Sequence, residues 1–457
     1  MARRFAGVIL AAGQGTRMRS RTSKVLFPLL GRPLLESPLR LLRDLGCERT
    51  VVVVGHAAAE IKEALAEHPV CQELGVEWAL QDPPRGTGDA TQIALRALAG
   101  FDGPVVILNG DLPLLQPGTI EAMLDAHAPQ SAGGAAAGMT LMTLELADPS
   151  GYGRIIRGPA PAGELGPVVD IVEEADATPE QCDVSEVNGG VYIVDREATL
   201  AGLDDMDAAG VDNAQDELYL PPVVTPLREG GRDVRGWALP PSDVWELQQV
   251  NNRVELAKAA EIRRAQIIVE LQLSGVTVVD PGTTYIEEDV SIGQDTVVLP
   301  SSVIMSGVQI GRECQVGPFA YLRKGTVMAD GAEVGNFTEV KNTYLGERSK
   351  AKHLSYLGDG VLGSDVNVGA GTIFANYDGK DKHRTELGDG VFVGSGTVFV
   401  APVSVGEGGR TGAGAVVTGG TKVGAGETVV GVPARPVRAK QMTPDTQRDS
   451  EKGEQAG

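Results

Sequence analysis

A six-residue spacing of apolar side chains constrains the second half of this chain more than any other feature. From Ile286 to Val340 an aliphatic residue or methionine stands at every sixth position. These ladder positions are Ile286, Ile292, Val298, Ile304, Ile310, Val316, Leu322, Met328, Val334 and Val340. The period fits neither a helix nor simple strand alternation, and it is typical of a hexapeptide β-helix, in which short strands meet at tight corners. We therefore expect the ladder residues to point inward from a stacked prism.

The ladder is interrupted twice beyond Val340. It resumes at Leu362, Val368 and Phe374, and then at Leu387, Val393, Phe399, Val405, Val417, Val423 and Val429. Because the intervals 340–362 and 374–387 are not multiples of six, we predict inserted residues in both. The interrupted stretches carry Lys341, His353, Tyr356, Asn376, Tyr377, Lys382 and His383. Solvated loops are polar in any protein, but this concentration of His, Tyr, Asn and Lys favours a functional site.

Charge and cysteine usage exclude several classes of protein. The 457 residues carry a formal net charge of −21, whereas nucleic-acid binding leaves a basic footprint. The four cysteines, at positions 47, 71, 182 and 314, lack CxxC spacing and indicate reduced thiols without a zinc site. The apolar run near the N-terminus is too short for a signal peptide or a membrane span, so we expect a cytoplasmic protein without membrane insertion.

The first half alternates short apolar runs with amphipathic stretches. The runs at 8–10, 51–54 and 105–108 predict buried parallel strands, and the helical patterns between them predict an α/β domain with a mostly parallel sheet. Ligands in such folds bind beyond the carboxyl ends of the strands. Ser242 or Asp243 then caps a predicted helix that runs to about Leu273 and joins the two halves.

The segment after the first strand has the composition of a phosphate-binding turn. Gly13 and Gly15 let backbone N–H groups approach phosphates closely, and Arg17 and Lys24 add positive charge. A lone glycine-rich turn is weak evidence for phosphate binding, and both the GxGxxG and the Walker patterns are absent. The full string of residues 10–18 resembles the signature of sugar-nucleotide pyrophosphorylases.

Later segments extend this resemblance in the same order along the chain. Gln81 with residues 86–90 is similar to the base-recognition loop of that family, and residues 109–111 are similar to its metal-binding step. The segments at 151–155, 171–173 and 187–190 are similar to its sugar-binding segments. Taken singly, each segment could be only a turn or a solvated charge. Their joint order along the chain favours the functional interpretation.

The chemistry that this resemblance implies is nucleotidyl transfer. A sugar 1-phosphate oxygen, already ionised at neutral pH, attacks the α-phosphate in line and pyrophosphate leaves. No protein base is needed, so catalysis consists of positioning and charge neutralisation. Mg²⁺ held by Asp111 and an amide of residues 250–253 suits this reaction.

Motifs of the second half narrow the resemblance. Residues 319–323, 334–337, 353–359, 367–372 and 376–379 follow in the order found in the bacterial bifunctional N-acetylglucosamine-1-phosphate uridyltransferase and glucosamine-1-phosphate acetyltransferase family. The resemblance implies that acetyl-CoA acetylates glucosamine 1-phosphate, and that UTP and N-acetylglucosamine 1-phosphate then yield UDP-N-acetylglucosamine. It also implies a homotrimer, because in the family the acetyltransferase sites form between chains.

The implied architecture has four parts. A Rossmann-like α/β nucleotidyltransferase domain spans residues 1–253, a helical linker spans 254–274, and a left-handed parallel β-helix of hexapeptide repeats spans 275–436. The remaining residues, 437–457, are polar and predicted to be disordered.

The resemblance also assigns site residues. UTP and UDP-N-acetylglucosamine are assigned to Leu10, Ala11, Ala12, Gly13, Arg17, Lys24, Gln81, Gly86, Thr87, Asn109, Gly110, Asp111, Gly153, Glu173, Asn188 and Asn251, with Asp111 and Asn251 as ligands of Mg²⁺. Glucosamine phosphate is assigned to Arg323, Lys341, Tyr356, Asn367 and Lys382. Acetyl-CoA is assigned to Ala370, Asn376, Tyr377, Ser395 and Ala413. His353 is the general base, since the ordinary imidazole pKa of about 6.5 suits proton transfer; His383 is the competing candidate.

The chain departs from the family pattern in places. Asn109 stands where Tyr or Ser is usual, and Tyr321 and Lys324 replace an Arg and a Pro. The Arg that some members place just before the Val-Pro step near the C-terminus is absent, leaving Arg435 or Arg438 as substitutes. Two other hypotheses stay open on sequence alone: a pyrophosphorylase whose β-helix only oligomerises, and a non-catalytic assembly protein that retains both folds.

Overall fold

The computed structural model describes residues 4–129, 136–161, 165–210, 213 and 215–437. It divides into two compact units, Met1–Gln266 and Ile267–Gly457. The sequence-based boundaries at 253, 274 and 436 remain predictions. All but the first residue of the predicted disordered tail lies outside the described residues. Within the described ranges, no helix has both the length and the apolar character that crossing a bilayer requires.

The first unit is built on one twisted sheet. The strands of this unit are β1 (Ala6–Ala11), β2 (Pro28–Leu29), β3 (Arg32–Pro33), β4 (Arg49–Val54), β5 (Glu77–Leu80), β6 (Pro104–Asn109), β7 (Met139–Glu145), β8 (Arg154–Arg157), β9 (Val168–Val172), β10 (Glu186–Asp195) and β11 (Val234–Ala238). Of these, β2 and β3 form a separate antiparallel pair outside the main sheet. The main strand order is β11-β7-β10-β6-β1-β4-β5. Along this main order, within the described residues, only β10 runs antiparallel to its neighbours, β6 and β7, so the sheet is mostly parallel, as predicted. Off this order, β8 pairs antiparallel with both β10 and β9.

Helices pack against this sheet. They are α1 (Glu36–Asp44), α2 (Ala58–Leu65), α3 (Pro69–Leu74), α4 (Thr87–Ala97), α5 (Pro117–His127), α6 (Pro179–Cys182), α7 (Arg196–Ala209) and α8 (Val224–Glu229). Short 3₁₀ segments occur at Thr16–Met18, Lys24–Leu26, Glu174–Asp176, Pro221–Val223 and Pro241–Leu247. Val51, Val52, Val53 and Val54 are fully buried, because the strand they form is covered on both faces.

The long helix that follows, α9 (Arg253–Leu273), begins later than its sequence pattern suggested. The expected cap at Ser242 or Asp243 is wrong, since those residues lie in a 3₁₀ segment. The physical start is Asn252, whose side-chain oxygen accepts from the backbone nitrogens of Val254 at 2.9 Å and Glu255 at 3.0 Å. An Asn in this position satisfies N–H groups that lack a partner in the first turn.

The second unit is a parallel β-helix with three faces. Its strands are β12 (Thr277–Val278), β13 (Tyr285–Ile286), β14 (Ser291–Ile292), β15 (Val297–Val298), β16 (Val303–Ile304), β17 (Gln309–Ile310), β18 (Gln315–Val316), β19 (Tyr321–Leu322), β20 (Val327–Met328), β21 (Glu333–Asn336), β22 (Glu339–Lys341), β23 (Tyr344–Leu345), β24 (Lys350–His353), β25 (Tyr356–Gly358), β26 (Gly360–Leu362), β27 (Asn367–Val368), β28 (Ile373–Ala375), β29 (Thr385–Leu387), β30 (Phe392–Val393), β31 (Val398–Val400), β32 (Val403–Val405), β33 (Arg410–Thr411), β34 (Val416–Val417), β35 (Lys422–Val423), β36 (Thr428–Val430) and β37 (Arg435–Pro436).

Every third strand joins the same face. The first face runs from β12 through β15, β18 and so on to β36, the second from β13 to β34, and the third from β14 to β35. The strands of each face are parallel, and β37 is added antiparallel at the end of the first face. The ladder residues Val298, Ile304, Leu322 and Val340 are fully buried. Burying one such side chain stabilises the fold by about 1.5–3 kcal/mol, so the ladder supplies the core of this unit.

The first interruption of the ladder is not an insertion, which corrects the prediction from sequence. Leu345, Ala351 and Leu357 are fully buried and continue the ladder, with five-residue steps from Val340 to Leu345 and from Leu357 to Leu362. One residue has been lost at each of two corners, so a coil there is 17 rather than 18 residues long. The second interruption, from Phe374 to Leu387, is a true insertion.

Candidate functional sites

A cleft of about 510 Å³ opens at the carboxyl ends of β1 and β6. It is lined by Leu10, Ala11, Ala12, Gly13, Gln14, Gly15, Thr16, Arg17, Lys24, Val25, Gln81, Pro84, Gly86, Thr87, Ala90, Asn109, Asp111, Glu217 and Asn251. Parallel strands end at one edge of a sheet, and this brings the turn after β1 next to the segment after β6. Of the residues assigned to UTP and the nucleotide sugar from sequence, Gly110, Gly153, Glu173 and Asn188 do not line this cleft. The backbone nitrogen of Gly110 instead donates to Leu10 O at 2.9 Å.

Lys24 lies at the centre of the charged groups in this cleft. Its Nζ is 2.5 Å from Asp111 Oδ2 and 3.1 Å from Asn251 Oδ1, and Arg17 donates to the same Asn251 oxygen at 3.0 Å. The Lys24 and Asp111 side chains are only 13% and 14% exposed. Asp111 Oδ1 is buried and has no hydrogen-bond partner among the described residues. One carboxylate and one amide oxygen therefore converge here, a donor set that suits a divalent metal with phosphate ligands.

The loop before α4 shapes the other side of the cleft. Gln81 is buried, and its Nε2 donates to Gly86 O at 2.9 Å and to Asp89 Oδ2 at 2.8 Å. Gly86 has φ +105°, and an added Cβ would lie 2.4 Å from the carbonyl oxygen of Leu218. Only glycine fits at this position, and the loop can therefore pack closely against Leu218. Both of these side-chain hydrogen bonds of Gln81 use its Nε2, so its amide oxygen can accept a hydrogen bond from a ligand.

A smaller pocket of about 180 Å³ adjoins the cleft through Leu10, Thr87 and Asn109. Its other lining residues are Gly151, Tyr152, Gly153, Glu173, Asn188, Gly190, Tyr192, Leu220, Pro221 and Gln249. Asn188 donates to the hydroxyl of Tyr192 at 2.6 Å, next to an irregularity in β10. Burial, with help from the Asp176 charge, raises the pKa of Glu173. The sequence-assigned residues Gly153, Glu173 and Asn188 thus share one polar pocket.

The second unit holds its own cluster around His353, at the end of β24. His353 Nδ1 is 2.9 Å from Asn336 Oδ1, one coil earlier in register. An amide oxygen only accepts, so Nδ1 carries the proton and Nε2 is left as the basic nitrogen. His353 is exposed at the surface, where a substrate can reach it.

Three cations lie near the ends of strands on the second face. Arg323 follows β19 and Lys341 ends β22, one coil later; the charges of Lys382 and Arg323 lower the pKa of Lys341. A lowered lysine pKa from like charges means that the three groups are close enough to repel one another. Such a cluster is suited to a phosphate dianion, and Tyr356 lies on the next strand of the same face.

The inserted segment between β28 and β29 forms a closed loop that carries Tyr377 and Lys382. His383 Nε2 is 2.6 Å from Asp378 Oδ2, and the backbone nitrogens of Lys380 and Asp381 donate to Asp378 Oδ1. These contacts, the His383 bond first, hold the pKa of Asp378 well below its ordinary value. His383 is therefore occupied in closing the loop, which favours His353 as the base.

The corner between the first and second faces changes character along the prism. In its earlier coils it carries Phe319, Phe337 and Leu354, which are 51%, 58% and 60% exposed, and the two Phe rings stack with centroids 5.3 Å apart. In the later coils the same corner carries small residues. These are Ala370 with Gly371, Ser395 with Gly396, and Ala413 with Gly414, linked by backbone hydrogen bonds between coils. A row of small residues thus runs along this corner in the coils that follow His353.

Some assigned residues lie apart, and some contributors were missed. Asn367 is exposed on the first face, paired with Lys350 and Phe392, whereas the cationic cluster lies by the second face. Arg435 lies on β37 and donates to Ala434 O, and Arg438 lies outside the described residues. Sequence reasoning did not assign roles to Asn336, Tyr192, Gln249 or Glu217, since their places depend on strand register and pocket shape.

The two folds and their sites define a class of protein: a nucleotidyltransferase unit followed by a hexapeptide-repeat transferase unit. Residues 7–140 match the MobA-like NTP transferase domain family, and residues 289–324 match the bacterial transferase hexapeptide (six repeats) family. The bifunctional protein GlmU of Pelobacter propionicus is 42% identical over 450 residues, covering 90% of this chain and 93% of that protein. GlmU of Shouchella clausii is 40% identical, covering 92% and 94%.

The chain belongs to the bifunctional GlmU family. This membership confirms the resemblance, the fold class and the bifunctional transferase that the sequence predicted. The two rival hypotheses, a single-activity pyrophosphorylase and a non-catalytic assembly protein, are not supported.

Proposed function

We propose that the first unit transfers the uridylyl group of UTP to N-acetylglucosamine 1-phosphate, and that the second unit acetylates glucosamine 1-phosphate with acetyl-CoA. The observation that carries this proposal is that one chain holds two separate constellations. One is the Lys24–Asp111–Asn251 cluster in a nucleotide-sized cleft, and the other is His353 with its Asn336 partner in a unit that also gathers three cations.

Uridylyl transfer needs positioning and charge neutralisation rather than a base. The backbone of residues 10–13 and the side chains of Arg17 and Lys24 hold the triphosphate, while Gln81 reads the uracil through its amide oxygen. Asn109, which lines both the cleft and the smaller pocket, lies between base and sugar, and Gly153, Glu173 and Asn188 hold the sugar. The phosphate of the acceptor sugar attacks the α-phosphorus as the bond to the pyrophosphate oxygen breaks.

The residues fit a divalent cation, and we assign Mg²⁺ to Asp111 and Asn251. The buried Asp111 Oδ1 and the Asn251 amide oxygen are hard donors, and substrate phosphates would complete the coordination. When bound, Mg²⁺ neutralises negative charge on the phosphates. Lys24, which contacts both ligands here, then has its ammonium available for a phosphate oxygen.

Acetyl transfer requires removal of a proton from the attacking amine. His353 Nε2 accepts this proton as the C–N bond forms and the thioester C–S bond breaks, releasing CoA thiolate, which is protonated in turn. Asn336 keeps Nδ1 protonated and so holds the base in the required tautomer. Arg323, Lys341 and Lys382 grip the sugar phosphate with Tyr356, while Asn376 and Tyr377 orient the reactants.

The CoA arm would lie along the row of small residues on the corner beyond His353. Ala370, Ser395 and Ala413 lie in successive coils there, and larger side chains would fill the space that a pantetheine chain needs. Because acetyl-CoA and UTP are cytoplasmic metabolites, we place the activity in the cytoplasm.

We propose that three copies assemble through the β-helix. The exposed row of Phe319, Phe337 and Leu354 is apolar and would be covered by a second copy. Asn367, on the first face, would then reach the glucosamine phosphate bound to a neighbouring copy rather than to its own.

One assay tests the whole proposal. The protein is supplied with Mg²⁺ and each substrate pair separately, and free thiol and pyrophosphate are followed independently. We expect thiol from acetyl-CoA plus glucosamine 1-phosphate, and pyrophosphate from UTP plus N-acetylglucosamine 1-phosphate. His353→Ala should abolish the first and spare the second; pyrophosphate without any thiol from the unmodified protein would refute the acetyltransferase half.

A further inference from the structure

Asp359 is a buried carboxylate for which the proposed mechanism has no use. It lies between β25 and β26 and is only 8% exposed. Its Oδ1 accepts from Asn342 Nδ2, and its Oδ2 accepts from Asn376 Nδ2. The three residues are 17 positions apart in turn, which is one short coil each, so they form a stacked column of amide, carboxylate and amide.

Asp359 stays ionised despite this position. Burial opposes its ionisation, but the amides of Asn342 and Asn376 and the charges of Lys382 and Lys341 outweigh burial and hold its pKa below the ordinary value. A buried anion is costly unless its hydrogen bonds are satisfied. Both oxygens of Asp359 are satisfied here, and the donors on one side belong to the candidate acetyltransferase site.

The surroundings of Asp359 join the two halves of that site. Its backbone nitrogen donates to Lys341 O at 3.0 Å. At the neighbouring Gly358, an added Cβ would lie 2.6 Å from the Tyr356 hydroxyl oxygen and 2.9 Å from Asn376 Nδ2, so these two polar groups approach the same glycine. Asp359 therefore lies where the strand of Lys341, the Tyr356 hydroxyl and the first residue of the inserted loop meet.

We propose that Asp359 is a positioning residue for acetyl transfer, acting through Asn376. By accepting from Asn376 Nδ2, the carboxylate fixes the orientation of that amide and leaves the Asn376 oxygen to accept from a donor of the bound reactants. Its charge also balances part of the cationic cluster. The proposal rests on the acetyltransferase function proposed above. On this proposal Asp359 does not touch the reacting atoms and acts only through Asn376 and through its charge.

These two effects give Asp359→Asn a characteristic signature. The new amide presents only one accepting oxygen to two donors, so Asn342 and Asn376 compete for it and the orientation of Asn376 is no longer fixed. We expect kcat for acetyl transfer to fall by about tenfold or more, as for the loss of a hydrogen bond to a charged group. The KM for glucosamine 1-phosphate should not rise, because removing a negative charge beside Lys341 and Lys382 favours the bound phosphate.

A double variant separates orientation from general disruption. In Asp359→Asn/Asn342→Asp the carboxylate moves one coil away, to position 342. The NH₂ group of the new amide at position 359 donates to this carboxylate, and the oxygen of the same amide again accepts from Asn376. We expect the double variant to recover kcat to within a few-fold of the unmodified protein. Asp365→Asn, which removes a carboxylate from an exposed ion pair with Arg348, is the matched control and should leave both activities unchanged.

The outcomes are distinguishable. A kcat of Asp359→Asn within about twofold of the unmodified protein overturns the proposal, and so does a fall that the double variant does not repair. If the single variant does not fold, the double variant alone decides. A kcat within a few-fold of the unmodified protein supports the proposal, and a lower kcat overturns it. Absence of thiol release from the unmodified protein would refute the proposed function instead, and uridylyl transfer by the same samples reports their integrity.

Discussion

Asn336 Oδ1 and His353 Nδ1 lie 2.9 Å apart, on adjacent strands of one face of the β-helix. This contact determines which imidazole nitrogen can act as a base, because an amide oxygen holds the proton on Nδ1. It also gives a role to Asn336, which lies in the sequence motif at 334–337 but was assigned no function from sequence.

The first prediction concerns Asn336. In Asn336→Ala neither tautomer of His353 is favoured, and we expect kcat for acetyl transfer to fall by about tenfold, the scale of one lost hydrogen bond to a catalytic group. In Asn336→Asp the carboxylate stabilises the protonated imidazole, so the acidic limb of the kcat/KM profile should move to higher pH. Thiol release measured between about pH 5 and 9 checks both, and identical pH profiles for the Asp variant and the unmodified protein would contradict the assignment.

The second prediction concerns Lys24, which contacts both proposed metal ligands. In Lys24→Gln the positive charge is lost, and we expect kcat/KM for UTP to fall by about tenfold to a hundredfold, the range for charge-assisted hydrogen bonds. Without nucleotide, however, the variant should bind Mn²⁺ more tightly, because no ammonium competes for Asp111 and Asn251. Electron paramagnetic resonance measures free Mn²⁺ directly. Lys62→Gln, on α2, is the control, and weaker Mn²⁺ binding in Lys24→Gln would contradict the competition.

The sequence predicted the ladder and the turn after β1 because both depend on local chemistry. Inward positions must be apolar, and a turn that approaches phosphates needs glycine. It missed the partners of the site residues because they depend on coil length. His353 is 17 residues from Asn336, and Asp359 is 17 residues from both Asn342 and Asn376. Tracing the ladder through the buried Leu345 and Leu357 would have revealed the 17-residue coil, and with it both pairings.

The third prediction concerns acid stability of the first unit. His127 is buried, contacts Thr140 through Nδ1, and has its pKa lowered to about 4, mainly by burial and then by the Arg235 charge. The folded state therefore resists protonation that the unfolded chain accepts below about pH 6.5. The protonation of His127 should lower the free energy of unfolding by up to about 3 kcal/mol as the pH drops from about 6.5 to 4. Above about pH 6.5 the titration of His127 should not affect stability.

Comparison with His127→Gln isolates this contribution, because other titrating groups are shared. All three tryptophans, Trp78, Trp237 and Trp245, lie in the first unit, so their fluorescence reports its unfolding in urea. We expect the loss of unfolding free energy between about pH 7.5 and 4.5 to be smaller in the variant. Equal losses in the two proteins would mean that His127 is not the responsible group.

The last prediction concerns the exposed apolar corner of the β-helix. Phe337 is 58% exposed and stacks on Phe319, itself half exposed, so both rings would gain burial in an interface. Phe337→Glu places a charge in that interface, and we expect light scattering to show monomers in place of trimers. Acetyl transfer should be lost with the trimer, because we propose that Asn367 acts on a neighbouring copy, while uridylyl transfer should persist. Tyr344→Ser removes an exposed aromatic residue from the third face and should change neither mass nor activity. A monomeric unmodified protein would refute the proposed trimer, and a trimeric Phe337→Glu variant would place the subunit contact elsewhere.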